Sequence, residues 1–566
     1  MKYKFALLIC CIFCLSGKMN AQTYAEKCNL NFQIKENVFR GWSPDVNNSK
    51  LKFGNDSTFL RFSQDQLWGF REKMKLEYHS YKSILLPSEI SKIANISIVY
   101  KCKNLKKANL QVYMLDSNEK IIRTDSIIMI PTDTMFQISR KVELKNTRFL
   151  SFRIIAYGKD STYTRGLCAV AQTISHELCI KELQITVDDR YLNTAPFIDI
   201  SPLSIDKEEC VRLTFDSLCP YNTIPLLSSK KIVALGETVH GCFKIREAVC
   251  EVIKYQIIHN KCKLIVFEKP LLHMLFFNKY VQGNDVISTE KLTQLLETDV
   301  DGAEPMLGLM KWIRAYNKRT KNEVKIVGMD AFYENNEFPR YANEYLRIIN
   351  QKLHLSAIDS IMNIWDKPDP DKSKEKAQTT LDILAENKES LMKTLGEEDL
   401  KILRFYLNAM LGVNFRQKNY NLRNRGMFET CSFLIDSMSP PNSSIVIYAH
   451  WMHLNYTLDT FPIDRSTGSY MKERYNGDYA CIGLSVYQGD IRVYNRHVLM
   501  NNRLQVPPPN SLEYILNDLG YEYAYMNTSS LEGFTRLRIV GLYYDSQQFE
   551  TIISPSIQMD GILFIK

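Results

Sequence analysis

Four short runs rich in β-branched residues, all in the second half of the chain, each stop on an ionisable side chain. Lys231–Gly236 runs into Glu237, Thr238, Val239, His240 and Gly241; Lys263–Phe267 ends at Glu268. Lys325–Met329 ends at Asp330, and Ser444–Ala449 ends at His450, with His453 three residues on. Short apolar runs separated by long helical stretches are the pattern of βα units in a parallel sheet. In such a sheet the strands point the same way, so their carboxyl ends gather along one edge, where ligands bind. The pattern therefore predicts that Glu237, His240, Glu268, Asp330, His450 and His453 converge in one crevice.

A chain of 566 residues is too long for one domain. Its hydrophobic content of 45% and charged content of 24% are those of an ordinary globular protein. The net charge of +8 includes Lys2, Lys4 and Lys18, and no basic block carries interleaved aromatics, so nucleic acid is not an expected partner. Met1–Lys4 followed by the apolar run Phe5–Leu15 reads as a signal peptide, residues 1–21, cleaved after Ala21. That run is too short to span a membrane and no later one is long enough, so the expected protein is secreted or periplasmic. Of 14 cysteines, Cys10, Cys11 and Cys14 belong to the leader. The remainder are odd in number and lack Cys-x-x-Cys spacing, which argues against a zinc–thiolate site and leaves disulfide pairing unread.

Residues 22–199 alternate with period two between Asn, Asp, Ser and Lys turns, as in Ile96–Cys102, Ala108–Leu115, Phe149–Ala156 and Leu178–Val187. This predicts an antiparallel β-sandwich, jelly-roll-like, with no helical stretch. Trp42 and Trp68 are either a platform for stacking a glycan or packing residues. Asn193–Pro196 and Ser201-Pro202 mark a linker, and residues 203–566 carry the βα pattern. Between Asp330 and His450 lies a helical insertion, with helices expected near Ala377–Leu395, Asp399–Leu411 and Arg423–Ser437, placed to act as a lid or substrate wall.

Glu237-x-x-His240 lies between Gly236 and Gly241, as a tight strand-to-helix turn requires. At a helix N-terminus, with its free N–H groups and positive dipole end, His240 can act as a general base on water while Glu237 orients it. His450 closes a buried strand and needs hydrogen-bond partners there. The pair His450 and His453 could ligate a metal completed by Glu237 or Glu268, or could stabilise an oxyanion and position substrate. Cys242 is a candidate nucleophile if its thiol pKa is lowered. Arg246, a turn into the same helix, is a candidate for binding a carbonyl or carboxylate, and Arg314 a candidate partner of Asp330. His259, His273, His354 and His497 carry no comparable pattern.

Leu235–Gly241, Phe267-Glu268, Trp312–Asn317, Val327–Asp330 and Tyr448–His453 resemble, in order and spacing, the erythromycin esterase family. So do Arg423–Met427, Gly468–Met471, Asp478–Gly483, Ser511–Leu516 and Met559–Ile565, so the resemblance spans roughly 224–566 and none of the first domain. It implies hydrolysis of a macrolide lactone ester, inactivating an antibiotic, with His240 activating water. Glu237 and Glu268 would be acidic partners, and His450 and His453 the paired histidines facing them. Two departures stand out. Trp451-Met452 replaces Asn-Ala between the histidines, and Lys244 replaces an acidic residue. The first places bulk beside the cleft and the second reverses a charge near it; Arg246, Asp330 and Trp451 are the expected substrate-binding residues. A small residue is usual at the position of Cys242, so its thiol reads as a replacement.

The expectation is an α/β domain, a parallel-sheet erythromycin-esterase-like fold with a helical insertion, preceded by an antiparallel β-sandwich. Its activity would be ester or lactone hydrolysis without a cofactor. The rivals are a divalent-metal hydrolase using the same cluster and a ligand- or glycan-binding protein without turnover.

Overall fold

The computed structural model describes residues 23–32, 42–44, 52–56, 59–66, 75–80, 84–87, 93–116, 121–158, 174–198, 203–214, 221–285, 287–297, 300, 302, 304–321, 323–330, 338–351, 354–366, 372–412, 420–456, 465–495, 498–542 and 550–566. The expected leader, Trp68, the side chain of Trp42, residues 367–371 and His497 lie outside them. The chain divides into two units, Met1–Ile200 and Ser201–Lys566.

The first unit is built from two six-stranded antiparallel sheets. One runs in the order Trp42–Pro44, Lys75–Ser80, Phe149–Gly158, Leu105–Leu115, Ile121–Met129, with Ile84–Leu85 beside Phe149–Gly158. The other runs Lys52–Asp56, Phe59–Gln66, Ile174–Val187, Ile93–Lys103, Thr132–Glu143, with Arg190–Tyr191 beside Ile174–Val187. Alternate residues of both sheets, among them Ile96, Ile98, Leu110, Val112, Phe152 and Ile185, meet in one core. This is the sandwich that period-two patterning predicts. It also holds a short helix, Tyr24–Cys28, that alternation could not reveal. Thr23 and Glu26 form a reciprocal capping box at its start, which satisfies two N–H groups in a segment too short for periodicity to register.

The second unit centres on an eight-stranded mixed sheet. Its strands are β1 (Cys210–Arg212), β2 (Ile232–Glu237), β3 (Cys262–Pro270), β4 (Lys325–Asp330), β5 (Ser444–His450), β6 (Tyr479–Val486), β7 (Tyr523–Asn527) and β8 (Gly561–Ile565). The order is β1-β7-β8-β6-β2-β5-β3-β4. The six strands from β8 to β4 are parallel, and β7 pairs antiparallel with both β1 and β8. Strands β2, β4 and β5 are buried at every residue, as parallel strands covered on both faces must be. Their apolar runs hide no polar face, which is why they could be read as strands of a central sheet.

Helices α1 (Phe243–His259), α2 (Met274–Val281) and α3 (Met306–Thr320) connect β2, β3 and β4. In α1 the buried residues Ile245, Val249, Val252, Ile253 and Ile257 recur at helical spacing and face the sheet. The insertion after β4 holds helices Asn343–Asn350, Ser356–Trp365, Ser373–Glu386, Lys388–Leu395 and Glu397–Gly412, then α4 (Tyr420–Met438), which leads into β5. A further short helix, α5 (Trp451–Leu454), follows β5 directly.

The turn from β2 into α1 depends on Gly241. Its φ is +68°, and a Cβ there would lie 2.0 Å from the backbone oxygen of Arg492, whose N–H donates to the Gly241 carbonyl at 3.0 Å. Only glycine allows both the left-handed conformation and this approach. Gly241→Ala is expected to destabilise the protein by about 3 kcal/mol, read as a lowered midpoint in urea denaturation; an unchanged midpoint would refute this account of the turn.

Candidate active site

The four ionisable strand ends belong to four adjacent strands, in the order Asp330 (β4), Glu268 (β3), His450 (β5) and Glu237 (β2). Glu237 and His450 are direct register partners. Glu268 sits where the β3–β4 register shifts, between Phe267 and Pro270. A local departure of this kind frees a strand to re-aim a side chain. The Glu268 carboxylate turns across to β5 and accepts the backbone N–H of His450 at 2.8 Å.

His240 lies three residues beyond Glu237, on the turn before α1. Its Nδ1 is 2.6 Å from Glu237 Oε1, and the other carboxylate oxygen accepts the hydroxyl of Tyr448. A carboxylate accepts only, so Nδ1 carries the proton and Nε2 is the basic nitrogen of His240. The rings of His240 and His450 stack with centroids 4.3 Å apart and planes 28° apart. The carbonyl of Val540 accepts from both the His240 backbone N–H, at 2.9 Å, and His450 Nε2, at 3.2 Å. Burial, with the charge of His240 next, pushes the His450 pKa well below its ordinary value, so this ring is neutral.

His453 lies on α5, with its ring centroid 6.5 Å from that of His450. Its Nδ1 donates to Asn424 Oδ1 at 2.6 Å, and its Nε2 meets Arg423 Nη1 at 3.2 Å. The same Nε2 lies 3.3 Å from Glu268 Oε1, so it stands between a guanidinium and a carboxylate. His450 Nε2 is thus paired with Val540 and His453 Nδ1 with Asn424. These contacts brace both rings beside Glu268 and His240.

Arg423, near the start of α4, joins the acidic strand ends. Nη2 donates to Glu268 Oε1 at 2.8 Å and to Asp330 Oδ2 at 2.7 Å, and Nε donates to the same Asp330 oxygen at 3.0 Å. Burial alone would raise the Glu268 pKa, but His453 and Arg423 outweigh it and hold the carboxyl well below the usual range. Asp330 is buried, and its Oδ1 has no hydrogen-bond partner among the described residues. Sequence reasoning missed Arg423, Asn424 and Tyr448 as site residues. Tyr448 was within reach, because it lies two residues before His450 and alternation puts both on one face of β5.

Other expectations are revised. Arg314 does not hold Asp330; it binds Asp285 and caps the carboxyl end of α2 through the carbonyls of Tyr280 and Asn284. Trp451 is wholly buried and packs against Gly236 and Gly483, where a Cβ would come within 3.1 Å and 3.4 Å of it. The glycines make room beneath the strand ends for an indole that faces the core, so Trp451 does not line the cleft. Cys242 is also fully buried, which pushes its thiol up to about 11 and removes it as a nucleophile. Arg246 is buried in the first turns of α1, near the Phe243 ring. All nine described cysteines are free thiols. Among the described residues no group of three or more His, Cys, Asp or Glu is arranged to hold a metal ion. The guanidinium of Arg423 bonds Glu268, Asp330 and His453.

A family model described as erythromycin esterase matches residues 257–566, more than half of the chain. The chain belongs to the erythromycin esterase family. The matched segment contains Glu268, Asp330, Arg423, His450 and His453 but begins after Glu237 and His240, which the fold brings to the same edge. No curated protein matches. Among solved structures, a protein of Bacillus cereus shares 21% identity over 63% of this chain and 95% of its own, with a TM-score of 0.50. That likeness shows the fold. A succinoglycan biosynthesis protein aligns at 16% identity over 63% of this chain and 94% of its own, with a TM-score of 0.49. A mutant of the erythromycin esterase EreC in an open conformation aligns at 17% over 62% and 96%, with a TM-score of 0.44.

Removing the guanidinium leaves two buried carboxylates uncompensated. Arg423→Gln is expected to cost about 3 kcal/mol at neutral pH, measured by chemical denaturation. The folded-state pKa of Glu268 is depressed, so its contribution is fully present above the unfolded value of about 4.3 and is lost as pH falls through the folded value. The gap between wild type and variant should therefore narrow below about pH 4. A gap that does not change with pH would contradict the ion-pair account.

Proposed function

We propose that this family member is a carboxylic ester hydrolase, acting on an ester or lactone through water activated by His240. The observation that carries the reading is the contact between His240 Nδ1 and Glu237, which leaves Nε2 as the proton-accepting nitrogen. Family membership supports a hydrolase; a macrolide-like lactone is the substrate class we propose, and antibiotic inactivation its consequence.

In this mechanism His240 Nε2 removes a proton from water as the oxygen attacks the carbonyl carbon. Glu237, fixed by Tyr448, stabilises the imidazolium that forms. Collapse of the tetrahedral intermediate breaks the bond to the leaving oxygen, which takes the proton back from His240. The products are an alcohol and a carboxylic acid, whose proton is lost to water. Arg423, which carries the cluster's permanent positive charge, offsets charge developing on the carbonyl oxygen. Asp330 Oδ1, buried and without a hydrogen-bond partner among the described residues, is positioned to accept from a substrate hydroxyl. No metal takes part in this scheme, and we place the mature protein outside the cytoplasm on the strength of residues 1–21. Among the described residues no helix is long and apolar enough to cross a membrane.

Incubation of the full-length protein with a panel of macrolides and simpler lactones in oxygen-18 water should yield a product heavier by one labelled water. His240→Ala should lower kcat at least a thousandfold, with an unchanged circular dichroism spectrum. Turnover above a tenth of wild type in that variant would remove His240 from the role of base. Tyr448→Phe, which frees one oxygen of Glu237, should lower kcat about tenfold with little change in KM. A change confined to KM would place Tyr448 in substrate binding instead.

A further inference from the structure

Two consecutive residues of α4 hold His453 by its two ring nitrogens: Arg423 reaches Nε2 and Asn424 reaches Nδ1. Asn424 is fully buried, so its amide must find its partners within the fold. Its Nδ2 donates to the carbonyl of Arg465 at 3.1 Å, and its backbone carbonyl accepts from the Thr467 hydroxyl at 3.0 Å. A carbonyl only accepts, so the amide cannot be turned over; Nδ2 faces Arg465 and Oδ1 faces the ring. Oδ1 in turn only accepts, so His453 Nδ1 carries a proton.

The segment that orients Asn424 is tied to the helix that carries His453. Ser466 donates to the carbonyl of Asn455, just past α5, and a Cβ on Gly468 would fall 1.8 Å from the carbonyl oxygen of Leu454. The amide and the ring it meets are therefore fastened to one frame.

The hydrogen bond at one imidazole nitrogen decides what the other can do. With Nδ1 protonated, a neutral ring offers its Nε2 lone pair to Arg423 Nη1 at 3.2 Å, and a charged ring donates from Nε2 to Glu268 Oε1, 3.3 Å away. The remaining form, with a proton on Nε2 alone, would set a lone pair against Asn424 Oδ1 at 2.6 Å. Asn424 excludes that form, so His453 gains or loses a proton only on the side of Arg423 and Glu268.

We propose that Asn424 is a positioning residue of the active site. By keeping a proton on His453 Nδ1 it reserves Nε2 for Arg423 and Glu268, and so holds the guanidinium whose charge offsets the developing oxyanion. Its effect on rate rests on the hydrolytic reading; the place of the proton does not.

The test is nitrogen-15 NMR of the full-length protein labelled in its histidines, with the His453 signals assigned by their loss in His453→Gln. In the wild type, Nδ1 of His453 should show the shift and one-bond coupling of a protonated nitrogen; a bare Nδ1 would overturn the proposal without recourse to any variant. Asn424→Leu removes the acceptor and should move the proton to Nε2, lowering kcat about tenfold while KM changes less than about twofold. Asn424→Asp still accepts from Nδ1 but cannot donate to Arg465. It should keep the Nδ1 proton and lose less than about threefold in kcat. A leucine variant whose Nδ1 stays protonated, or leucine and aspartate variants slowed equally, would reduce Asn424 to an anchor for Arg465 and overturn the positioning role. The expected spectra in a protein that hydrolyses no ester or lactone would uphold the hold of Asn424 on His453 while removing the hydrolytic reading.

Discussion

The arrangement of the strand ends depends on one guanidinium. Glu268 and Asp330 close adjacent strands on the edge of a buried sheet, and two carboxylates so placed repel each other and lose hydration. Arg423 bonds both and also His453, with geometry that fixes all three. Lysine could not do the same, because one compact ammonium lacks a planar fork that reaches three acceptors at set angles. The charge arrives from outside the sheet, on the helix that ends the insertion. The insertion therefore completes the site, whatever else it does over the cleft.

A second constraint is the carbonyl of Val540, far along the chain from β2. It accepts from the backbone of His240 and from the ring of His450, while the Val540 N–H returns a bond to Thr238. One peptide unit thus sets the height of the β2–α1 turn and the tautomer of the histidine beside it. Stacking follows. Two imidazoles with centroids 4.3 Å apart cannot both be protonated without strong repulsion, and His450 is the one that stays neutral. The proton is left to His240, which has Glu237 to receive the charge.

The strand ends were legible in the sequence because parallel strands are apolar throughout, so an acid or a histidine at the terminus stands out. Glu237, Glu268, Asp330 and His450 all lie where that reading places them. Arg423 was not legible in this way, since an arginine in an amphipathic helix reads as a solvated face until the helix is known to lie over the sheet edge. Trp451 failed for the opposite reason: its neighbours in sequence are site residues, but its room comes from Gly236 and Gly483, on two other strands. The same limit applies to Arg314, whose partners lie at the end of α2. Sequence spacing identifies what is on an element and says little about which element a long side chain will cross to.

Tyr448 and His450 show how the geometry divides the work. Both lie on one face of β5; the first holds a carboxylate oxygen of Glu237, and the second stacks on the imidazole held by the other oxygen. One strand therefore controls both the acid and the base of the pair. A shift of β5 against β2 by one residue would turn both side chains to the opposite face of the sheet. The continuous burial of both strands makes such a slip costly, since every pair from Ile232 with Ile445 to Glu237 with His450 is in register. The precision of the His240–Glu237 contact thus derives from the apolar core beneath it, and a site of this kind needs little help from mobile loops to keep its base aligned.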